Sequence, residues 1–165
     1  MKHKSYSIVE MIIVVSIIGI IAGITVPLLG MYYPQTRLNG DAKILMFALR
    51  KTQQWSITGE KRYGIDFYPT ENEYILFRKD INDGISITEI ETIKLSTGIE
   101  INKIQFNDVV QTPTAEGCIR IQFDSFGAPR NANDSHIHAE IVLINSKNAT
   151  LKVDVRKNNG HIKIE

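Results

Sequence analysis

Glu10 is the residue whose type and position offer the clearest chemistry in this sequence. It is the only charged residue in an otherwise apolar run that extends over residues 6–36. A carboxylate inside lipid or an apolar protein interior costs several kcal/mol unless a cation neutralises it. Glu10 therefore predicts a contact with a positively charged group, and a generic membrane anchor would have no use for this contact.

Other residue types that support catalysis or metal binding do not form a recognisable site in the sequence. His136 and His138 could share one face, but no cysteine and no second histidine pair completes a zinc ligand set. Residues 80–84 are rich in acidic and amide side chains without the spacing of a calcium-binding loop, so they predict a turn. Ser125 lies outside a G-x-S-x-G motif. We expect no catalytic residue, no metal site and no cofactor.

A basic stripe near the C-terminus is the strongest candidate for binding another macromolecule. Its members fall on the polar side of an alternating apolar pattern and are Lys152, Arg156, His161 and Lys163. Such a stripe could hold DNA phosphates without reading the base sequence. Asp154 and Glu165 interrupt the stripe, and no aromatic residues are interleaved, so the pattern favours an ordinary solvated strand face. DNA binding is kept as an alternative.

The apolar run around Glu10 is long enough to cross a membrane as a helix over residues 6–34, because about 20 apolar residues span a bilayer. It is longer than the apolar part of a secretory signal peptide, which has roughly 7 to 15 residues. Lys2 and Lys4 precede it, while the next basic residue, Arg37, follows it. The positive-inside tendency then places the N-terminus in the cytoplasm and the rest of the chain outside it.

A second, amphipathic half of the same helix is predicted over residues 35–59, ending at Gly59. Apolar residues and Thr52 recur there every three or four positions, at Leu38, Ala42, Leu45, Leu49 and Thr52, with Met46 and Trp55 widening the stripe. The pattern places Asp41 on the polar side. Pro27 removes a backbone donor, so we expect a kink or a melted segment between the two halves.

The remaining residues, 60–165, alternate between apolar and polar side chains and predict a sheet domain. Asn159-Gly160 suggests a tight hairpin between the last two strands. The fold class is therefore α+β, with a long N-terminal helix followed by an antiparallel β-sheet domain. The predicted strands lie near residues 63–67, 74–78, 85–95, 99–106, 119–123, 140–144, 151–155 and 162–164.

Length and composition support one extracytoplasmic domain behind the helix. The chain has 165 residues and a net charge of +1, which gives no reason to expect a bulk polyelectrolyte partner. Cys118 is the single cysteine of the sequence, so an intrachain disulfide is impossible.

The segment from Lys2 to Pro27, KHKSYSIVEMIIVVSIIGIIAGITVP, resembles the N-terminal signature of type IV pilins and type II secretion pseudopilins. The resemblance implies a leader over residues 1–5, cleavage between Ser5 and Tyr6 by a prepilin peptidase, and N-methylation of Tyr6. It assigns filament assembly to Glu10 and Pro27. Ser5 departs from the glycine that the family usually has before the cut.

The later parts of the sequence narrow the resemblance to H-type minor pseudopilins and related minor pilins. These parts are the helix end before Gly59, the segment IRIQFDSFGAPR at residues 119–130, and the closing residues 153–164. The resemblance implies a non-enzymatic subunit of a type II secretion pseudopilus or a type IV pilus-like filament. Its partners would be other pilin subunits, the inner-membrane assembly platform and membrane lipid.

The implied location is the bacterial inner membrane, as a single-pass protein, and the filament after assembly. Two alternatives stay open. One is a DNA-uptake minor pilin whose basic C-terminal sheet binds DNA, and the other is a membrane-tethered binding module that never polymerises.

Overall fold

The computed structural model of the chain describes residues 7–59, 61–80, 87–158 and 160–165. Within these residues one helix precedes ten strands, which confirms the α+β class. The helix is α1 (Ile8–Thr58). The strands are β1 (Arg62–Tyr68), β2 (Glu73–Lys79), β3 (Ile87–Lys94), β4 (Ile99–Phe106), β5 (Val109–Val110), β6 (Ile119–Phe123), β7 (Pro129–Arg130), β8 (Ala139–Asn145), β9 (Thr150–Val155) and β10 (Ile162–Ile164).

Helix α1 is 51 residues long and runs through both predicted halves without interruption. The predicted melted segment is therefore wrong, because Pro27 lies inside the helix, while the alternative of a kink stays a prediction. A proline removes one backbone hydrogen bond and can bend a long helix without ending it. Gly59 follows the helix as its C-cap and donates its backbone N–H to the carbonyl of Trp55, which confirms the predicted end.

The strands form two antiparallel sheets that both pack against α1. The first sheet has the order β3-β2-β1-β6-β7 and the second has the order β10-β9-β8-β4-β5. The predicted strands are all present, apart from residues 85 and 86, which lie outside the described residues. The two-residue strands β5 and β7 were not predicted, because two residues are too short to show an alternating pattern.

The core lies between the inner face of α1 and the inner faces of the two sheets. Leu38, Ala42, Leu45, Leu49 and Thr52 are fully or almost fully buried there, which confirms the predicted stripe. The apolar side chains that they meet include Ile65 and Phe67 of the first sheet and Ile141, Leu143 and Val153 of the second. The domain is thus held on the second half of α1 by apolar burial.

Asp41 is buried, so its predicted place on the polar side of α1 is wrong. Its carboxylate accepts hydrogen bonds from the backbone N–H and the hydroxyl of Ser96, at 2.8 and 2.9 Å. Ser96 follows β3, so Asp41 fixes the connection between β3 and β4 to the helix. A buried carboxylate with such partners is compatible with the core, which helical spacing alone does not reveal.

Gln53 of α1 joins the two sheets at the far end of the domain. Its amide nitrogen donates to the carbonyl of Gly127, which lies between β6 and β7, at 2.8 Å. The same nitrogen donates to the carbonyl of Gly160, before β10, at 2.9 Å. A Cβ atom on Gly160 would lie 2.2 Å from both Gln53 Nε2 and the Gly127 oxygen, and the φ of Gly160 is +58°, so only glycine fits.

The hairpin between β9 and β10 forms, but it is wider than the tight turn that the sequence predicts. Val155 pairs with Ile162, and residues 156–161 lie between these paired positions. Gly160 serves the close approach to Gly127 rather than a two-residue turn, and Asn159 lies outside the described residues.

Candidate functional site

Glu10 lies in the first turn of α1, three residues after the N-cap residue Ser7. The Ser7 hydroxyl accepts a hydrogen bond from the backbone N–H of Val9 at 3.3 Å. A carboxylate in the first turn interacts favourably with the partial positive charge of the helix N-terminus, typically by about 0.3 to 1 kcal/mol. Ser7 and Glu10 have the Ser-x-x-Glu spacing of a capping box. This signal for a helix start is visible in the sequence, but the helix prediction did not use it.

The structure gives Glu10 no ion pair among the described residues, whereas ion pairs are frequent in the sheet domain. Leader residues 1–5 and Tyr6, with the predicted cleavage and methylation site, lie outside the described residues. The helix N-terminus provides much less stabilisation than the burial of a carboxylate costs. A cation from another molecule would remove this deficit.

The segment of α1 around Glu10 is not covered by the rest of the described chain, and we call it the bare half. All described side chains between Ile8 and Val26 are exposed, and this segment has the length and composition of a membrane span. One such N-terminal helix fits a single-pass membrane anchor. An apolar helix surface of this size is stable only when lipid or other apolar helices cover it.

The sheet domain begins to contact α1 between Gly30 and Leu38. Lys147, in the turn between β8 and β9, donates to the Gly30 carbonyl at 3.3 Å. Arg37 donates to the Thr97 carbonyl at 3.1 Å, and Leu38 is completely buried. At a rise of about 1.5 Å per residue, Glu10 lies about 30 Å along the axis from Gly30. Glu10 is therefore accessible to neighbouring helices and not to its own sheet domain.

The structure brings three residues of the predicted basic stripe together with three carboxylates. Lys152 Nζ lies 2.9 Å from Glu140 Oε1 and 3.0 Å from Glu165 Oε2. Arg156 and Lys163 each lie 3.8 Å from Asp154 Oδ2, and Lys163 also pairs with Glu165. His161, the fourth predicted member, lines a groove of about 470 Å³ beside Arg50 and Gln53 of α1.

These ion pairs keep Glu140 and Glu165 charged at neutral pH. The hydrogen bond from Lys152 lowers the pKa of Glu140 below its ordinary value. Hydrogen bonds from Lys163 and Lys152 lower the pKa of Glu165 to about 2. The same carboxylates raise the pKa of Lys152. The positive charges of the stripe are largely balanced within the sheet, which weakens the attraction for phosphates that the sequence suggested.

His136 and His138 lie in separate surroundings, so they do not form the shared site that their spacing allowed. His136 Nε2 lies 2.9 Å from Arg130 Nη2. His138 Nε2 lies 3.5 Å from Glu140 Oε1 and 3.3 Å from Asp154 Oδ1. The sequence interpretation missed this second group because Glu140 and Asp154 meet only through the pairing of β8 with β9.

The loop between β6 and β7 is held by Asp124, which is buried. Its Oδ1 accepts hydrogen bonds from the backbone N–H groups of Phe126 and Ala128, and its Oδ2 accepts one from Arg130 Nε. Burial alone would raise the pKa of Asp124, but these hydrogen bonds outweigh it and lower the pKa. These hydrogen bonds fix the loop to Asp124, although Phe126 at its tip is 90% exposed.

The chain has the fold of minor pseudopilins and type IV minor pilins. Two structures of the minor pseudopilin EpsH from the type 2 secretion system of Vibrio cholerae match 78% of this chain, with TM-scores of 0.56 and 0.59 and 10% sequence identity. The match covers 96% and 93% of those chains.

The type IV minor pilin FimU of Pseudomonas aeruginosa PAO1 is similar over 81% of this chain and 92% of its own, with a TM-score of 0.55 and 9% identity. No protein-family model and no curated protein matches the sequence. The low identities mean that the comparison concerns the fold, and the roles of individual residues rest on their chemistry.

Proposed function

We propose that the chain is a minor pilin or pseudopilin, a non-enzymatic subunit of a type II secretion pseudopilus or a type IV pilus-like filament. The observation that supports this most is the bare first half of α1, with a carboxylate at its start that has no ion pair among the described residues. Lipid covers this half while the subunit waits in the inner membrane, with its N-terminus in the cytoplasm. Helices of neighbouring subunits replace the lipid in the filament.

Glu10 directs this exchange. Removal of residues 1–5 by a prepilin peptidase creates an α-amine at Tyr6, and Glu10 of one subunit pairs with the amine of its neighbour. Loss of one partner from a desolvated ion pair costs roughly 3 to 5 kcal/mol, so uncleaved subunits are excluded from the filament. Pro27 lies between Glu10 and the sheet domain and sets how the helix leaves the filament centre.

The decisive experiment separates membrane insertion from assembly in cells that carry the assembly machinery. Glu10→Leu should insert at least as well as the wild type, because less charge enters the membrane, while recovery in sheared filaments falls by tenfold or more. Glu10→Gln should lose filament recovery as well, although its amide preserves the hydrogen-bonding shape of the side chain. Quantitative immunoblots of membranes and sheared filaments measure both quantities.

Ser16→Ala is the matched control, because it removes a polar group from the same bare half and leaves Glu10 unchanged. The Ser16 hydroxyl bonds to the Ile12 carbonyl of its own helix, so filament recovery should stay near wild type. Normal recovery of both Glu10 variants would refute the pairing and would favour a membrane tether that does not polymerise.

Processing provides a separate test of the proposal. Co-expression with a prepilin peptidase should give a mature N-terminus at Tyr6, with a methylated amine, as read by mass spectrometry of the intact chain. Ser5→Gly should increase the cleaved fraction, because glycine is the residue that the resembled signature has at this position. Assembled protein that retains residues 1–5 would contradict the proposal.

A further inference from the structure

We propose that His138, Glu140 and Asp154 form a binding site for a divalent transition-metal ion, best fitted by Zn²⁺. The site lies on the second sheet, where β8 and β9 pair, and involves none of the residues assigned to filament assembly. It is independent of the proposed function.

Two of the three distances within the cluster match the geometry of a zinc site. The three candidate ligand atoms all lie within 4.8 Å of one another. Nε2 of His138 lies 3.5 Å from Glu140 Oε1 and 3.3 Å from Asp154 Oδ1. Tetrahedral zinc with bond lengths near 2.1 Å separates its ligand atoms by about 3.4 Å. An ion in the space between the three atoms would thus meet two of the three separations without rearrangement of the backbone.

Asp154 provides an independent reason to expect a ligand. The residue is 4% exposed, and its Oδ1 atom is buried without a hydrogen-bond partner among the described residues. A buried carboxylate oxygen left in this way is costly. The unpartnered oxygen is the one that faces His138, so a metal ion there would satisfy it.

The pairing of the strands places two negative charges opposite each other. Glu140 of β8 is the direct cross-strand partner of Asp154 of β9. Like charges directly opposite each other destabilise a sheet, and Lys152, Arg156 and Lys163 offset this repulsion from the outer sides of the two carboxylates. One proton on His138 Nε2 can be directed at only one of the two oxygens at a time, whereas a divalent ion binds both.

Two of the three surrounding cations lie near an oxygen that is not proposed as a ligand. Arg156 and Lys163 lie near Oδ2 of Asp154, and not near the Oδ1 atom that faces His138. Lys152 Nζ donates to Glu140 Oε1 itself, at 2.9 Å, so this oxygen would keep Lys152 as an outer hydrogen-bond partner while its other lone pair binds the ion. These residues would orient the carboxylates, and a water molecule would complete the tetrahedron.

The ligand types select the metal. One imidazole nitrogen with two carboxylates suits zinc and its first-row neighbours. Calcium and magnesium prefer oxygen ligands alone and higher coordination numbers. We therefore expect Zn²⁺ to bind and Ca²⁺ and Mg²⁺ to have no effect at equal concentration.

The test is titration of the full chain, purified in detergent with an affinity tag that contains no histidine, with Zn²⁺ in a calorimeter. We expect one ion per chain, and a rise in the thermal unfolding midpoint of the sheet domain because the ion binds only the folded site. Co²⁺ in place of Zn²⁺ should give the visible absorption of a four-coordinate ion.

His138→Gln and Asp154→Asn should each weaken binding by on the order of tenfold or more, since loss of even an outer partner of a zinc ligand costs roughly 10 to 100-fold. His136→Gln is the matched control, because His136 contacts Arg130 outside the cluster, and it should bind as the wild type does. Thermal unfolding without metal shows whether each variant is folded.

Nuclear magnetic resonance of the histidine rings gives a readout that does not depend on the carboxylate variants. The ring signals of His138 should change on addition of Zn²⁺, while those of His136 stay constant. Absence of a Zn²⁺ effect on folded wild-type protein would overturn the proposal. Unchanged binding in His138→Gln would overturn it as well.

Discussion

The two halves of α1 belong to one continuous helix but have opposite surroundings. From Ile8 to Val26 the described side chains are all exposed and apolar residues dominate. From Leu38 onward one face of the helix is completely buried by two sheets. The packed half has found its partners inside the chain, whereas the bare half must find them in lipid or in other subunits. The same element thus supports the fold in one half and, in the other, presents the surface to which we assign assembly.

The carboxylates of the sheet domain and of the first half of α1 differ in the same way. In the sheet domain Asp66 accepts two hydrogen bonds from Arg120, at 2.7 and 2.6 Å, and Asp124 accepts one from Arg130. Glu10 has no such partner among the described residues. A carboxylate that the fold satisfies contributes to stability, while one that the fold leaves unsatisfied can specify a partner.

The largest expected effect in the folded domain comes from equal substitutions in the two halves of α1. Leu49→Ala should lower the free energy of unfolding by about 2 to 5 kcal/mol, because Leu49 is 0% exposed in the core. Leu28→Ala should change it by less than about 0.5 kcal/mol, because Leu28 is 48% exposed. Urea unfolding of the full chain in detergent, followed by fluorescence of Trp55, the single tryptophan, measures both values.

Recovery in sheared filaments should show the reverse order. It should fall more for Leu28→Ala than for Leu49→Ala when both are measured at a temperature at which the domain is folded. Equal loss of domain stability in both variants would break the contrast between the halves. It would mean that the bare half also contributes to the fold of the subunit.

A smaller effect is expected from Asp124→Asn, about 1 to 3 kcal/mol at neutral pH, because the variant weakens three hydrogen bonds to a charged acceptor. The pKa of Asp124 is lowered from 3.8, so its charge stabilises the folded state fully above that pH. This stabilisation is lost as the pH falls below 3.8 through the folded-state value. The stability difference between wild type and variant should therefore shrink in acid.

Unfolding measured by circular dichroism from pH 7 to pH 3 tests this dependence. Glu116→Gln is the control, since Glu116 is a largely exposed carboxylate 3.7 Å from Arg120. It should change stability by less than about 1 kcal/mol. If the stability difference between the wild type and Asp124→Asn grew as the pH fell, the charged form of Asp124 would not stabilise the folded state.

The smallest expected effect concerns DNA. Because the basic stripe is balanced by carboxylates, we expect the full chain to show no detectable binding to duplex DNA at physiological salt by fluorescence anisotropy. Dissociation constants for non-specific DNA binding typically lie near 10⁻⁴ to 10⁻⁶ M at physiological salt, and the affinity falls steeply as the salt concentration rises. Salt-sensitive binding that disappears when Lys152, Arg156 and Lys163 are all changed to Glu would favour the DNA-uptake alternative over a purely structural role.

Sequence patterns predicted most of the fold because apolar periodicity is a local signal. The helix end at Gly59 and the long strands follow from spacings of three to four and of two residues. Asp41 was misplaced because helical spacing does not show that Ser96 supplies two donors 55 residues away. The strands β5 and β7 are defined by their partners and have no pattern of their own.

The candidate sites divide in the same way. Glu10 is recognisable because a single charge in an apolar run is visible in the sequence. The cluster of His138, Glu140 and Asp154 depends on the register between β8 and β9, which a sequence without the structure does not give. The neutralisation of the basic stripe is likewise a property of the paired strands and not of their composition.

The two hydrogen bonds from the Gln53 amide have a mechanical consequence. Both bonds start from one nitrogen on α1, and they end on carbonyls in the β6–β7 loop of the first sheet and in the β9–β10 turn of the second. In the proposed filament, tension along α1 would displace the helix along its axis and strain both bonds at once. The load would then be shared between the loop of the first sheet and the turn of the second.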